Sequence, residues 1–156
     1  MKQIKELNGL PLPLEVAEAK RGWGSFLTFD LALPLKLGSI ETKPGYTLWI
    51  YLSDWEIYEN DRLVLDCDET DDQVYRKALH QFRCSKLLYI RIDLDELTAK
   101  FFFEHDKILS LEADLESYEE GDDIFMVFDH TSGMVTSMSP KRGVYSELSS
   151  KKPKCR

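Results

Sequence analysis

The sequence predicts an α+β fold in which a mostly antiparallel sheet, built from hairpins and a meander, carries one main helix packed on it. Three observations lead to this fold class. Short segments with the two-residue periodicity of β-strands recur along most of the chain. The turns between them are shorter than the crossover that parallel neighbours need. One stretch after residue 70 has the start signals of a helix.

The first strands flank a glycine-rich turn. Leu14–Lys20 and Ser25–Leu33 lie on either side of Gly22-Trp23-Gly24, whose glycines suit the positive φ of a tight turn. The next segment, Tyr46–Tyr58, is apolar at both strand parities, so we expect it in the middle of a sheet covered on both sides. Asp54 breaks its alternation and predicts a bend or bulge.

The helix is predicted from its cap and its apolar face. Thr70 and Gln73 form a capping box, with Thr70 as the N-cap. Val74, Ala78 and Phe82 then recur at a spacing of four and form one apolar face. We therefore expect the helix to pack on the sheet through these three side chains.

The second half of the chain reads as further hairpins. Lys86–Leu94 and Leu97–Phe103 alternate cleanly around the turn at Asp95-Glu96, and Asp123–Asp129 pairs with Met134–Met138. The residues expected to be largely buried are Trp49, Ile50, Tyr51, Leu88, Ile90, Phe101 and Phe103.

Size and composition indicate one folded domain. We expect a single domain over residues 1–148 of the 156, followed by a basic, disordered tail over 149–156. A hydrophobic content of 43% excludes a disordered chain. No apolar run is long enough to cross a bilayer, and the first ten residues lack the apolar core of a secretion signal. The three cysteines, at unpatterned spacings, favour reduced thiols and a cytoplasmic location.

The charge distribution indicates the kind of partner. The chain has 20 basic and 28 acidic residues and a net charge of −8, yet four basic residues lie in the last six. The first 150 residues therefore carry −12. Such a surface repels nucleic acid and anionic membranes and attracts a basic protein.

The densest acidic segment is the candidate binding site. Glu112–Asp123 holds seven carboxylates in twelve residues, an arrangement that suits neither a strand nor a core. An aromatic side chain within it, or at the tip of the glycine turn, would be the natural anchor of an interface. The candidate binding residues are Tyr118, Glu119, Glu120, Asp122 and Trp23. The alternative interpretation is a solvated loop and a tryptophan folded back on the sheet.

One short motif suggests catalysis. Asp66-Cys67-Asp68-Glu69-Thr70 resembles the D-x-D-x-T motif of haloacid dehalogenase-type phosphatases, which implies Asp66 as phosphoryl acceptor, Asp68 as acid/base and a bound Mg²⁺. That family has the motif after the first strand of a parallel sheet, whereas several predicted strands precede it here. Helix capping explains Thr70 equally well. We therefore predict no catalytic residue, no metal and no cofactor.

Two aromatic stretches resemble a known family. Residues 22–29, GWGSFLTF, and residues 48–55, LWIYLSDW, are similar to the G-x-G-S-F-L and L-W-I-Y-x-x-x-W stretches of small, uncharacterised bacterial proteins. The resemblance spans about residues 10 to 140. It implies a bacterial protein in which a helix and two strands follow the second stretch. It implies no activity.

The sequence alone does not determine a function, because no set of polar residues forms a recognisable catalytic constellation. His105 and His130, for example, lie in predicted turns where solvated side chains are the simpler interpretation. The leading hypothesis is a small, acidic, non-enzymatic protein-binding module, of inhibitor or immunity type, acting on a basic protein. One alternative is a Mg²⁺-dependent phosphatase using Asp66 and Asp68. The other is a homo-oligomeric structural protein that buries its aromatic strands between subunits.

Overall fold

The computed structural model describes residues 4–7, 10–22, 26–33, 45–51, 53–113 and 122–149. These residues form twelve strands and one α-helix. The strands are β1 Ile4–Glu6, β2 Leu14–Arg21, β3 Leu27–Ala32, β4 Tyr46–Ile50, β5 Ser53–Glu59, β6 Arg62–Asp66, β7 Lys86–Asp93, β8 Thr98–Phe103, β9 Lys107–Ala113, β10 Phe125–Asp129, β11 Met134–Ser139 and β12 Gly143–Leu148. The helix, α1, is Asp72–His80.

All twelve strands belong to one sheet. Its order is β12-β11-β10-β4-β3-β2-β7-β8-β9-β5-β6, and β1 also pairs with β7. Every pairing is antiparallel, which confirms the antiparallel sheet predicted from the short turns. Strand β2 pairs with β7 only at residues 86–87. The same edge of β7 is therefore open at residues 91–93, where β1 pairs with it.

The prediction of an α+β fold with a main helix is wrong. The described residues contain twelve strands, whereas α1 is one helix of nine residues. Helix α1 contacts mainly β2 and β6, which are far apart in the strand order. The sheet needs no helical layer, because it folds over and covers itself.

Aromatic contacts show how the sheet folds over. The rings of Phe29 on β3 and Phe103 on β8 stack at 5.7 Å between centroids. Phe101 on β8 and Phe125 on β10 meet edge to face at 5.1 Å. Neither pair lies on neighbouring strands, so the two halves of the sheet face each other across the core. Helix α1 then lies beside β2 and β6, the two ends of the run of strands β2-β7-β8-β9-β5-β6.

The helix begins one residue later than predicted, and its buried residues match the predicted ones only in part. Asp71, not Thr70, is the N-cap, because its Oδ1 accepts a hydrogen bond from the backbone N–H of Gln73 at 2.9 Å. Tyr75 and Leu79 are the buried helix residues. Of the three predicted contacts, Phe82 is buried and Ala78 is half-buried against the core, whereas Val74 is 37% exposed because Tyr75 and Leu79 point at the core instead.

The aromatic segment Tyr46–Tyr58 is two strands, not one. Leu48 and Ile50 of β4 are buried, and so are Trp55 and Ile57 of β5. The two pairs have opposite parity because the chain passes from one half of the sheet to the other between the strands. The apolar residues at both parities therefore belong to two strands in different halves of the sheet, and not to one strand covered on both sides.

Only some of the residues predicted to be buried are in the core. Four of the predicted core residues are buried, namely Ile50, Ile90, Phe101 and Phe103. Trp49 and Tyr51 are half-buried on the outer side of β4, and Leu88 is 41% exposed. A β-bulge between Leu87 and Tyr89 explains the last result, since it places Leu87 in the core instead of Leu88.

Candidate functional site

The predicted binding residues are only partly within the structure. Tyr118, Glu119, Glu120 and Trp23 lie outside the described residues, so they stay predictions. Asp122 is half-buried just before β10. Its neighbour Asp123 is buried and accepts a hydrogen bond from the Tyr145 hydroxyl at 2.5 Å. The Asp123 carboxylate therefore takes part in the packing of the fold, through its hydrogen bond with β12.

A larger group of carboxylates lies on the outer side of strands β7, β8, β9, β5 and β6. It surrounds a groove of about 840 Å³. We define the acidic face as the carboxylates that line this groove: Asp54, Glu56, Asp66, Asp68, Asp93, Glu96 and Glu112. Two cations, Arg91 and Lys100, also line it. The lining is thus strongly negative, with its two positive groups on β7 and β8.

Strand register brings like charges together on the acidic face. On β5, Asp54 stands opposite Glu112 of β9, and Glu56 stands opposite Asp66 of β6. Side chains directly opposite each other in antiparallel strands have Cβ atoms only about 5 Å apart, and like charges there destabilise the sheet. The free protein therefore carries an unfavourable charge arrangement at this surface.

An apolar row runs along the acidic face. Its members are aligned by register across the same five strands: Tyr89, Phe102, Ile108, Tyr58 and Leu63. The rings of Tyr89 and Phe102 stack at 4.3 Å. Tyr89 is 39% exposed and Leu63 is 48% exposed. Exposed aromatic and aliphatic side chains bordered by charges are typical of a protein interface.

The D-x-D-x-T stretch lies at one end of the acidic face. Asp66 is the last residue of β6, an edge strand of the antiparallel sheet, and its Oδ1 accepts the backbone N–H of Asp68 at 3.0 Å. Burial raises the pKa of the intervening Cys67 thiol, which disfavours the thiolate. Over the described ranges, no group of three or more His, Cys, Asp or Glu side chains could hold a metal ion. The motif thus lacks the parallel-sheet context that its phosphatase role needs.

A groove of opposite charge lies between β2 and α1. It has a volume of about 1010 Å³. We define the basic groove by its cationic lining residues, Lys20, Arg21, Arg76 and Arg83, beside which His80 also lines it. The Arg21 guanidinium pairs with Asp72 at 2.9 Å and lies 4.4 Å from the centre of the Tyr75 ring. At least one of these cations is therefore part of the packing of the helix against the strand.

A histidine, a hydroxyl and a carboxylate form a chain on the other half of the sheet. The Thr47 hydroxyl lies 3.1 Å from Asp30 Oδ1 and 2.8 Å from His130 Nε2. An ionised carboxylate only accepts, so the hydroxyl donates to Asp30 and accepts from the imidazole N–H. In this arrangement His130 cannot take the proton of Thr47. These hydrogen bonds are structural. They give His130, a turn residue, a partner that lies far away in the sequence.

The sequence interpretation missed most of the acidic face. Glu56, Asp93 and Glu96 were not among the predicted binding residues. A signal was present on β5, where Asp54 and Glu56 alternate with the core residues Trp55 and Ile57. Strand alternation marks those carboxylates as outward-facing, but only the register shows which strands lie beside them.

Comparison of the chain with protein-family models, curated proteins and solved structures found no match. The resemblance to the small bacterial family therefore stays a prediction. No helix in the described part of the chain is both long and apolar enough to span a membrane.

Proposed function

We propose that this chain is a protein-binding module whose acidic face takes up a basic segment of a partner protein. The observation that carries the proposal is the placement of Asp54 opposite Glu112 and of Glu56 opposite Asp66. A cationic segment laid across β5 would lie close to all four carboxylates. It would replace their mutual repulsion with attraction, so binding relieves a cost that the free protein carries.

The apolar row supports the same proposal. Charged groups of an interface mainly set the association rate, whereas buried aromatic anchors supply most of the affinity. Tyr89 and Phe102 form a stacked, partly exposed pair on the strands that carry Arg91 and Lys100. A basic segment with apolar residues beside it would match both the charge and the apolar row.

The concrete form of the proposal is an inhibitor or immunity-type protein that blocks a basic enzyme or toxin. The homo-oligomer alternative is less favourable on this surface, because two acidic faces brought together would repel each other. The phosphatase alternative lacks a supporting geometry, since Asp66 bonds the backbone of its own turn.

Salt dependence of a purified complex tests the proposal. The chain is used to capture partners from an extract of its native host at low salt, and the captured protein is purified. Its association rate with the chain is then measured at about 50 mM and about 500 mM NaCl. We expect the rate to fall by roughly tenfold or more over this range, because exposed charges steer the encounter.

A pair of charge-matched variants locates the contact. Glu112→Lys is expected to slow association strongly, since Glu112 lies in the middle of the acidic face. Glu18→Lys makes the same change in net charge at an exposed position on β2, beside the basic groove, and is expected to leave the rate nearly unchanged. A partner that is insensitive to salt and to Glu112→Lys, or that responds equally to both variants, would contradict the proposal.

A further inference from the structure

A small apolar pocket lies between strand β6, strand β5 and helix α1. Its volume is about 450 Å³, within the range of about 300–1,000 Å³ that is usual for ligand sites. Five apolar side chains line it: Ile57, Val64, Val74, Ala78 and Phe82. Val64 and Val74, 40% and 37% exposed, are its solvent-facing apolar residues. Four polar side chains complete the lining: Glu59, Lys77, Gln81 and Lys107.

Lys107 is the unusual member of this lining. It is the first residue of β9, on the inward side that Leu109 and Leu111 continue into the core, and it is only 6% exposed. Its Nζ lies 6.0 Å from the centre of the Phe82 ring. Within the described residues, the ammonium makes no hydrogen bond or ion pair. Nζ is not a buried polar atom left without a hydrogen bond, so the ammonium reaches the water of the pocket, where an anion could be its partner.

The neighbouring carboxylate does not supply that partner. Glu59 stands directly opposite Lys107 in the β5–β9 pairing and lines the same pocket, yet the two groups are not within ion-pair distance. With Lys77 included, the lining carries two positive groups and one negative group. One added negative charge would make it neutral.

We propose that this pocket binds a small apolar carboxylate, whose carboxylate pairs with Lys107 and whose apolar part contacts Val64, Val74 and Phe82. The apolar lining supplies affinity for a hydrocarbon chain or ring, and the Lys107 ammonium selects the charged end. The site lies on the inner side of β5 and β9, so it is separate from the acidic face on their outer side. A fatty acid and an aromatic acid share this chemistry.

Direct binding measurements with defined probes test the site. Calorimetry on the full chain compares decanoate and 2-naphthoate with decanol, which has the same chain as decanoate but no charge. We expect at least one of the two acids to bind roughly tenfold more tightly than decanol. Whichever of the two acids binds more tightly shows whether the pocket suits a hydrocarbon chain or a ring. Equal binding of acid and alcohol, or no binding of any probe at about 1 mM, would overturn the proposal.

Three variants separate recognition by Lys107 from general charge effects. Lys107→Met keeps a long apolar side chain and is expected to lower acid affinity about tenfold while leaving decanol unchanged. Lys100→Met removes an equal charge from the outer side of β8 and serves as the control. Val74→Glu places a negative charge at an exposed position of the pocket, so it should weaken acid binding without disturbing the core. Unchanged acid binding in both Lys107→Met and Val74→Glu would refute the assignment.

Discussion

The acidic face and the basic groove lie on opposite sides of the Trp55–Tyr75 contact, but their charges are organised differently. Trp55 lines the acidic groove, Tyr75 lines the basic groove, and their rings meet at 5.9 Å. In the basic groove, Arg21 has both a carboxylate and an aromatic ring as partners. On the acidic face, the register places carboxylate opposite carboxylate.

This difference distinguishes Arg21, whose charge stabilises the folded chain, from the carboxylates of the acidic face, which repel one another. Arg21 connects β2 to α1 and gains a Coulombic and a cation–π contact, so the folded chain benefits from it. At the pair Asp54 and Glu112 the two facing carboxylates repel each other, which is the pattern expected when a surface serves binding at the expense of stability. Mutations in the two regions should therefore change stability in opposite directions.

The largest expected effect comes from the residue at the boundary of the two regions. Trp55→Ala removes a fully buried side chain that contacts Tyr75 and underlies the acidic face. We expect a loss of roughly 3–5 kcal/mol in the free energy of unfolding, from lost burial and the remaining cavity. Denaturant titration followed by circular dichroism measures it.

Phe101→Ala is the matched control for that variant. Phe101 is also fully buried, contacts Phe125 across the core and lines neither groove, so a similar loss of roughly 3–5 kcal/mol is expected. Only Trp55→Ala should also change the reactivity of the Cys67 thiol, because the Cys67 backbone N–H donates to the Trp55 carbonyl at 3.1 Å and both residues line the acidic groove. A loss under about 1 kcal/mol for either variant would show that its side chain is not in the core described here.

A smaller loss is expected in the basic groove. Arg21→Ala removes the contact with Tyr75 and should lower the free energy of unfolding by about 0.5–1 kcal/mol. Asp72→Asn should have almost no effect, because the Asp72 side chain is 72% exposed and surface ion pairs contribute little. Equal losses for the two variants would indicate that the ion pair, not the ring contact, holds Arg21.

The sequence predicted the local structure of this chain better than its assembly. The alternation of Lys86–Leu94 and Leu97–Phe103 was sufficient for strands β7 and β8 and their antiparallel pairing. The pairing of β10 with β4 could not be predicted, because it joins segments more than 70 residues apart. The prediction of a main helix packed on the sheet fails for a related reason. No local sequence pattern indicates that the two halves of the sheet cover each other.

The candidate site shows the same limit. Residues such as Asp54 and Glu112 are separated by 58 positions, and only the β5–β9 register places them side by side. The prediction instead selected carboxylates that are dense in sequence, around Glu119 and Glu120. Sequence density and spatial density differ in a sheet, because side chains that are neighbours along a strand face opposite sides.

Relief of repulsion on the acidic face should give a small effect of opposite sign. Glu112→Gln keeps the size of the side chain and removes the charge opposite Asp54. We expect the free energy of unfolding to rise by about 0.2–1 kcal/mol at low salt, and the gain to shrink near 1 M NaCl, where charges are screened beyond about 3 Å. Thermal unfolding at both salt concentrations measures it. Destabilisation by Glu112→Gln would contradict the contrast between the two regions.

The last expected effect concerns a carboxylate that the fold does use, and it is seen only at alkaline pH. Burial, together with the hydrogen bond to Asp123, raises the pKa of Tyr145 from about 10 to about 12. The unfolded chain thus loses this proton at lower pH than the folded chain, so the contribution to stability is complete below pH 10 and declines as the pH rises towards 12. Tyr145→Phe should flatten this part of the pH profile. Tyr58→Phe is the comparison, because the hydrogen bond that Tyr58 donates to Glu56 on the acidic face also raises its pKa, but by less than the pKa of Tyr145 is raised. If both variants flatten the profile equally, Asp123 is no more structural than the acidic face.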